Sequence, residues 1–98
     1  LHLAFYRIVQ EQLTNILKHA DAKNVRIMIL ENFKAVKLSI KDDGKGFDPE
    51  VQKTGVGLMS IASRVESLKG QLVIRSAKGK GSELKVILPN PERKQVEA

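Results

Sequence analysis

The sequence Asp42-Asp43-Gly44-Lys45-Gly46 joins an alternating apolar run to a long, turn-rich segment. Asp-Gly at the end of a strand is usual in a hairpin turn. No second strand follows, however, because residues 47–54 have little apolar content and lead through Gly55-Val56-Gly57 into an amphipathic helix. The pattern therefore predicts a strand, a loop and a helix in that order, with a carboxylate at the strand end.

Hydrophobic periodicity predicts the helices and strands in the rest of the chain. Helices are predicted at about residues 3–20 and from Gly57 to a glycine cap at Gly70, and strands at about residues 24–30, 35–40, 71–76 and 82–88. Polar residues alternate with apolar ones on the strands, so one sheet face should remain uncovered. The expected fold is an α+β two-layer sandwich, a mixed β-sheet covered on one face by helices, with residues 1–88 as one domain and residues 89–98 as a tail.

Composition limits the classes of protein that fit this chain. A length of 98 residues with 42% hydrophobic content supports one core, and the absence of cysteine excludes disulfides and thiolate metal sites. The net charge of +6 is compatible with a nucleic-acid-binding module, but the cations fall in several elements and only one tyrosine and three phenylalanines could stack on bases. We therefore expect no direct nucleic-acid contact. The start at Leu1, inside a helical pattern, is expected of a piece of a longer chain.

The polar side of the first helix carries an unusual set of side chains. Glu11, Asn15, Lys18 and His19 recur there at three- and four-residue steps. A carboxylate, an amide oxygen and a cation directed at one volume suit a hydrated Mg²⁺ beside phosphates. An ordinary solvated helix face, with its basic residues near the negative end of the helix dipole, explains the same residues. The helix alone leaves both interpretations open.

The glycines around the loop also allow two interpretations. A carboxylate at Asp42 can accept a hydrogen bond from an exocyclic amine such as that of adenine, while Gly44 and Gly46 would let a flat ring approach the backbone. Gly55 and Gly57 stand where a helix begins, and the free N–H groups there attract phosphate. Taken singly, each glycine pair is more typical of a turn.

The order of these motifs resembles one family. Glu-x-x-x-Asn-x-x-Lys-His at residues 11–19, Asp-x-Gly-x-Gly at 42–46, Gly-x-Gly-Leu at 55–58 and Gly-Ser before the last strand are similar to the N, G1 and G2 boxes of bacterial sensor histidine kinases. That catalytic domain belongs to the superfamily of gyrase, Hsp90 and MutL. The resemblance implies the Bergerat-type ATP-binding fold. Residues 6–11 and 57–65 resemble the subgroup paired with helix-turn-helix response regulators.

The resemblance implies a role for each matching residue. Glu11 would polarise the attacking nucleophile or accept its proton, and Asn15 would ligate Mg²⁺. Lys18 and His19 would touch phosphates or ribose, and Asp42 would bind the adenine amine. The other implied nucleotide-binding positions are Gly44, Gly46, Gly55, Gly57, Leu58 and Ser82, the last in place of a more usual threonine.

The implied activity is that of a protein-histidine kinase. With ATP and Mg²⁺ as cofactors, the γ-phosphate would pass to a histidine on a dimerisation domain outside this chain, since neither His2 nor His19 lies in a phosphoacceptor context. The implied partners are that domain and a response regulator with a helix-turn-helix output. The resemblance further implies a cytoplasmic domain that is monomeric by itself, in a homodimeric parent with or without a membrane anchor. An anti-sigma-factor serine kinase, or another ATPase of the superfamily, is the alternative with the same fold.

Overall fold

The structure, a computed structural model, describes residues 2–46 and 56–90. Its elements are α1 (His2–Asn15), a π-helical turn (Ile16–Ala20), β1 (Val25–Glu31), β2 (Ala35–Asp42), α2 (Val56–Ser67), β3 (Gln71–Ser76) and β4 (Ser82–Pro89). The strands form one sheet in the order β1-β2-β4-β3, and the helices pack on its central strands. The predicted α+β two-layer architecture is confirmed. Within the described ranges, no helix has the length and apolar content needed to cross a membrane.

Every strand pairing in the described residues is antiparallel, so the expectation of a mixed sheet is wrong for this part of the chain. The cause is the way the strands are connected. The crossover through α2 brings β3 into the sheet parallel to β2, but the β3–β4 hairpin places β4 between them. The two parallel strands are therefore never neighbours.

The core lies between the helices and the two central strands. Alternate residues of β2 and β4 are buried on the helix side, and the register sets them opposite one another. These facing pairs are Val36 with Leu88, Leu38 with Val86, and Ile40 with Leu84. The helical segments contribute the buried side chains Ile8, Ile16, Ile61 and Val65. Full burial of one such side chain contributes about 1.5–3 kcal/mol, so this layer contributes strongly to the stability of the sheet.

The first helical segment departs from its predicted form near its end. After Asn15 the backbone changes from α-helical to π-helical, and the π turn ends at Asp21, which has a left-handed φ of 51°. A π turn is wider than an α turn, so side chains beyond Asn15 do not keep the α-helical spacing assumed from the sequence. Leu17, for example, is 85% exposed although it is apolar.

The opposite face of the sheet is uncovered and basic. The register aligns Arg26, Lys41, Glu83 and Arg75 in one row across all four strands. Lys85 lies on the same face, with its ammonium nitrogen 3.9 Å from the Glu83 carboxylate. Cations that lie far apart in the sequence are thus gathered on one surface, away from the core and the helices.

The C-terminal end of α2 differs from the predicted glycine cap by one residue. Lys69, rather than Gly70, adopts the left-handed conformation with φ of 60°. The N–H of Gly70 donates to the carbonyl oxygen of Val65 at 2.9 Å, as expected at a left-handed helix end. Gly70 is needed for space instead, because a Cβ there would lie 2.3 Å from a methyl carbon of Leu88.

Candidate functional site

The line of apolar pairs between β2 and β4 ends in a polar pair. Asp42 and Ser82 face each other where the next apolar pair would stand, and both are buried, with 4% and 9% of their surface exposed. Ser82 Oγ donates a hydrogen bond to Asp42 Oδ2, and the N–H of Gly44 donates to Oδ1 at 2.8 Å. Each carboxylate oxygen can still accept a second donor. A ligand amine would therefore meet an oriented acceptor at the end of the core.

Glycines allow three backbone segments to close around this pair. At Gly44 a Cβ would lie 2.1 Å from the carbonyl oxygen of Ala20. At Gly46, where φ is +66°, it would lie 2.0 Å from a carbonyl oxygen of the β3–β4 turn, and at Gly81, where φ is +72°, it would lie 2.2 Å from that of Asp42. A larger residue at any of the three would displace the backbone.

Backbone hydrogen bonds join the same three segments. The N–H of Lys45 donates to the carbonyl oxygen of Ala20 at 2.7 Å, and the carbonyl oxygen of Lys45 accepts from the N–H of Gly79 at 2.5 Å. Lys45 is exposed, and the contacts that it makes here are those of its main chain. The loop that follows Asp42 is therefore held on one side by the π turn and on the other by the β3–β4 turn.

Asp43 ties this loop to the start of β1. Its Oδ1 accepts from the backbone N–H groups of Lys23 at 2.8 Å and Asn24 at 2.9 Å, and its Oδ2 accepts from the side-chain amide of Asn24 at 2.8 Å. The side-chain hydrogen bond from Asn24, followed by the backbone hydrogen bonds, stabilises the charged form and holds the pKa of Asp43 below its usual value of 3.8. The two adjacent aspartates thus differ in role: Asp42 is buried toward the helices and Asp43 is an exposed anchor.

On α1, the carboxylate of Glu11 is engaged by α2. Ser60 Oγ donates to Glu11 Oε1 at 2.7 Å, and a terminal nitrogen of Arg64 lies 3.9 Å from the same oxygen. One turn further along α1, the amide nitrogen of Asn15 donates to Gln12 Oε1 in a long hydrogen bond of 3.4 Å. The amide oxygen of Asn15 is therefore directed away from Gln12. An amide oxygen in this position fits a hard cation that keeps most of its water shell.

The implied site residues fall into two groups. Asp42, Gly44, Gly46 and Ser82 meet at the strand ends, next to Ala20 at the end of the π turn. The others are spread over the helical segments: Glu11 and Asn15 on α1, an exposed Lys18 and the backbone of His19 on the π turn, and the backbones of Gly57 and Leu58 in the first turn of α2. Gly55 lies outside the described residues.

Four residues beside the site were not predicted from sequence. Ser60 and Arg64 are four apart, and the sequence could have marked them as one face of the second helix, but not their partner on the first. Ala20 takes part through its carbonyl oxygen, for which its residue type gives no signal. Gly81 belongs to the Gly-Ser pair before the last strand, and only the folded structure shows that it lies against the carbonyl oxygen of Asp42.

Comparison with known proteins assigns this arrangement to a family of ATPases. The family model described as histidine kinase-, DNA gyrase B- and HSP90-like ATPase matches residues 2–92. The chain belongs to this family. Within it, the chain is an ATP-binding catalytic domain of the sensor histidine kinase type.

Curated relatives support this assignment, and a solved structure shares the fold. The signal transduction histidine-protein kinase/phosphatase DegS of Brevibacillus brevis is 42% identical over 90 residues, which are 91% of this chain and 23% of the relative. The sensor histidine kinase YdfH of Bacillus subtilis is 42% identical over 88 residues, 86% of this chain and 22% of the relative. The chain therefore spans about a quarter of the length of these relatives. The ATP-binding domain of PrrB from Mycobacterium tuberculosis shares the fold, with a TM-score of 0.77 at 23% identity over 93% of this chain and 70% of that one.

The hydrogen bonds to Asp43 predict that its side-chain carboxyl group titrates at a lower pH than usual. Because the folded pKa is lowered, these contacts contribute stability that is present above the unfolded pKa and is lost as the pH falls through the folded pKa. We expect the side-chain carboxyl resonance of Asp43, followed by NMR, to titrate with a midpoint below 3.8. Asn24→Ala removes the largest cause and should move the midpoint back toward that value.

Asn32→Ala is the matched control for this titration. Asn32 accepts hydrogen bonds from the N–H groups of Lys34 and Ala35 in the β1–β2 turn, and does not contact Asp43. This variant should leave the Asp43 midpoint unchanged. A midpoint at or above 3.8 in the unmodified chain would contradict the assigned hydrogen bonds.

Proposed function

We propose that this chain is the catalytic part of a two-component sensor kinase and transfers the γ-phosphate of ATP to a histidine on a separate dimerisation domain. The buried Asp42–Ser82 pair, enclosed by glycine-permitted backbone contacts, carries this proposal. The names of the curated relatives support histidine rather than serine as the acceptor.

Asp42 is the proposed recognition group for the adenine base. Its two oxygens each accept one hydrogen bond from the protein, so the carboxylate is held in one orientation and keeps lone pairs for an exocyclic amine. Ser82 supports it through its hydroxyl. Gly44 and Gly46 are proposed to border the ring, and their lack of side chains lets the loop pack against the carbonyl oxygens of Ala20 and of the β3–β4 turn. A base with an oxygen in place of that amine would leave a buried acceptor unpaired, at a cost of about 1–3 kcal/mol.

Asn15 is the proposed protein ligand of Mg²⁺. Its amide nitrogen is already engaged by Gln12, so its amide oxygen is the available donor atom. Mg²⁺ completes its shell with water and phosphate oxygens, and one or two protein oxygens are sufficient. When bound, the ion would neutralise charge on the nucleotide phosphates. The further proposed contacts to phosphate or ribose are Lys18, His19, Gly55, Gly57 and Leu58.

Glu11 is the proposed proton acceptor in the transfer step. The bond between the γ-phosphorus and its bridging oxygen breaks, a bond from phosphorus to an imidazole nitrogen forms, ADP leaves, and the proton lost by the imidazole passes to the Glu11 carboxylate. The Glu11 side chain is 30% exposed, so an incoming histidine can reach it.

The remaining proposals concern the longer protein. We take residues 1–88 as the catalytic domain and residues 89–98 as its tail. The domain would be cytoplasmic and monomeric by itself, in a homodimeric parent whose partner is a response regulator with a helix-turn-helix output. The sequence patterns at residues 6–11 and 57–65 support that choice of partner.

Calorimetric titration with ATP and GTP, each with and without Mg²⁺, tests the base and metal assignments together. The unmodified chain should bind ATP about 5- to 150-fold more tightly than GTP, which corresponds to one unpaired buried acceptor. Asp42→Ala should remove this preference and keep the Mg²⁺ dependence. Asn15→Ala should do the reverse.

Each of these two variants is the control for the other, because each should retain the property that the other loses. Asp42→Asn preserves the volume of the buried side chain. It replaces Asp42→Ala if circular dichroism shows that the alanine variant has lost its fold. Equal affinities of the unmodified chain for ATP and GTP would contradict the role of Asp42. Unchanged Mg²⁺ dependence in Asn15→Ala would contradict the role of Asn15.

Radiolabelled ATP tests the transfer step. The chain should not label itself, but it should label a phosphoacceptor fragment of its parent kinase that is supplied separately at high concentration, since the tethered acceptor's effective concentration is lost. Glu11→Gln should suppress labelling about 100-fold or more, with nearly unchanged affinity for ATP. Acid-labile label on the chain by itself, or full-rate transfer by Glu11→Gln, would contradict this assignment.

A further inference from the structure

Two side chains of α2 meet the proposed proton acceptor and have no part in the function described so far. Ser60 and Arg64 lie one helical turn apart, and both reach across the interface between the helices to Glu11 on α1. Their contacts converge on one atom, Glu11 Oε1, at 2.7 Å from the Ser60 hydroxyl and 3.9 Å from the Arg64 terminal nitrogen.

We infer that Ser60 and Arg64 are positioning residues that hold the Glu11 carboxylate for phosphoryl transfer. This rests on the proposed function, because Glu11 must act in the transfer step for its orientation to matter. Neither residue is assigned contact with the nucleotide or with the reacting atoms.

The hydrogen bond from Ser60 explains how Glu11 can be oriented. A glutamate side chain on a helix surface samples several rotamers, and a partly exposed one is held in place only by specific partners. The donor Ser60 engages Oε1, and among the described residues no protein group engages Oε2. That second oxygen is therefore the one left to accept a proton from an incoming imidazole. A base must lie within hydrogen-bond reach of that proton, and holding Oε1 limits the positions that Oε2 can take.

Arg64 places a positive charge beside Glu11 from a partly buried position. Its side chain is 37% exposed, yet its Nε atom is buried and finds no acceptor among residues 2–46 and 56–90. A surface ion pair would not require a buried, unpaired donor, and an apolar side chain of similar length would fill the same interface without one. The guanidinium also places a positive charge beside the Glu11 carboxylate, which an apolar side chain of similar length would not supply.

The placement of Ser60 and Arg64 on α2 links the proposed nucleotide contacts of that helix to Glu11. Gly57 and Leu58, two of the proposed nucleotide contacts, belong to the same helix as Ser60 and Arg64 and lie within about two turns before them. The helix that meets the nucleotide would therefore also set the position of the carboxylate. A variant that loosens this contact should slow transfer without weakening nucleotide binding.

The test is a double-mutant cycle on the transfer rate from ATP to the supplied phosphoacceptor fragment. Ser60→Ala and Arg64→Met should each lower kcat about 10-fold, with the KM for ATP unchanged. Ser60→Thr, which keeps the hydroxyl, and Arg64→Lys, which keeps the charge, should recover most of the rate. In the Glu11→Gln background, Ser60→Ala should cause no further loss, because the group that it positions no longer accepts a proton.

The outcomes separate this inference from the proposed function. If Glu11→Gln transfers at the full rate, or the unmodified chain transfers nothing, the proposed function fails. If Glu11→Gln is slow but Ser60→Ala and Arg64→Met transfer at the full rate, only the positioning role fails. Equal loss from Ser60→Ala in both backgrounds, or a raised KM, would show a merely structural contact and would also overturn it. Circular dichroism of each variant confirms the fold, and Ser60→Thr with Arg64→Lys provides the second measurement if either truncation unfolds.

Discussion

The hydrogen bond between Ser82 and Asp42 is the interaction on which the site depends. A carboxylate at the end of a hydrophobic core is costly to bury unless its oxygens find donors. Here one donor comes from the opposite strand and the other from the loop that leaves β2. The register that pairs three apolar residues of β2 with three of β4 also sets Asp42, the last residue of β2, opposite Ser82, the first residue of β4. Core packing and site geometry are therefore set by one strand pairing.

Much of this could be predicted from sequence because the periodic patterns are strong. The alternation through Val36, Leu38 and Ile40 predicts the strand and places a carboxylate, Asp42, at its end. The spacing of Glu11 and Asn15 likewise places both on one side of α1. The resemblance to the family rests on the order of several weak motifs, each of which alone is also typical of a turn or a solvated helix face. These inferences depend on residues close together in the sequence.

The features that were missed depend on long-range contacts or on backbone geometry. The insertion of β4 between β2 and β3 decides that the sheet is antiparallel, and strand propensity contains no information about it. The π turn changes side-chain directions after Asn15, although no glycine or proline in that segment marks the change. Ser60 meets Glu11 across 49 residues, and Ala20 meets Gly44 through a carbonyl oxygen. The cap at Lys69 also departs from residue preference, because the close approach of Leu88 uses the neighbouring glycine for space.

Nucleotide is expected to bind where the π turn, the 42–46 loop and the β3–β4 turn meet. A map of amide NMR shifts on addition of ATP and Mg²⁺ measures this directly. The largest shifts should therefore fall on Ala20, Gly44, Gly46, Gly81 and Ser82, with little change on the open sheet face at Arg26, Lys37 and Arg75. No shifts at millimolar ATP, or shifts concentrated on that basic face, would contradict this position of the nucleotide.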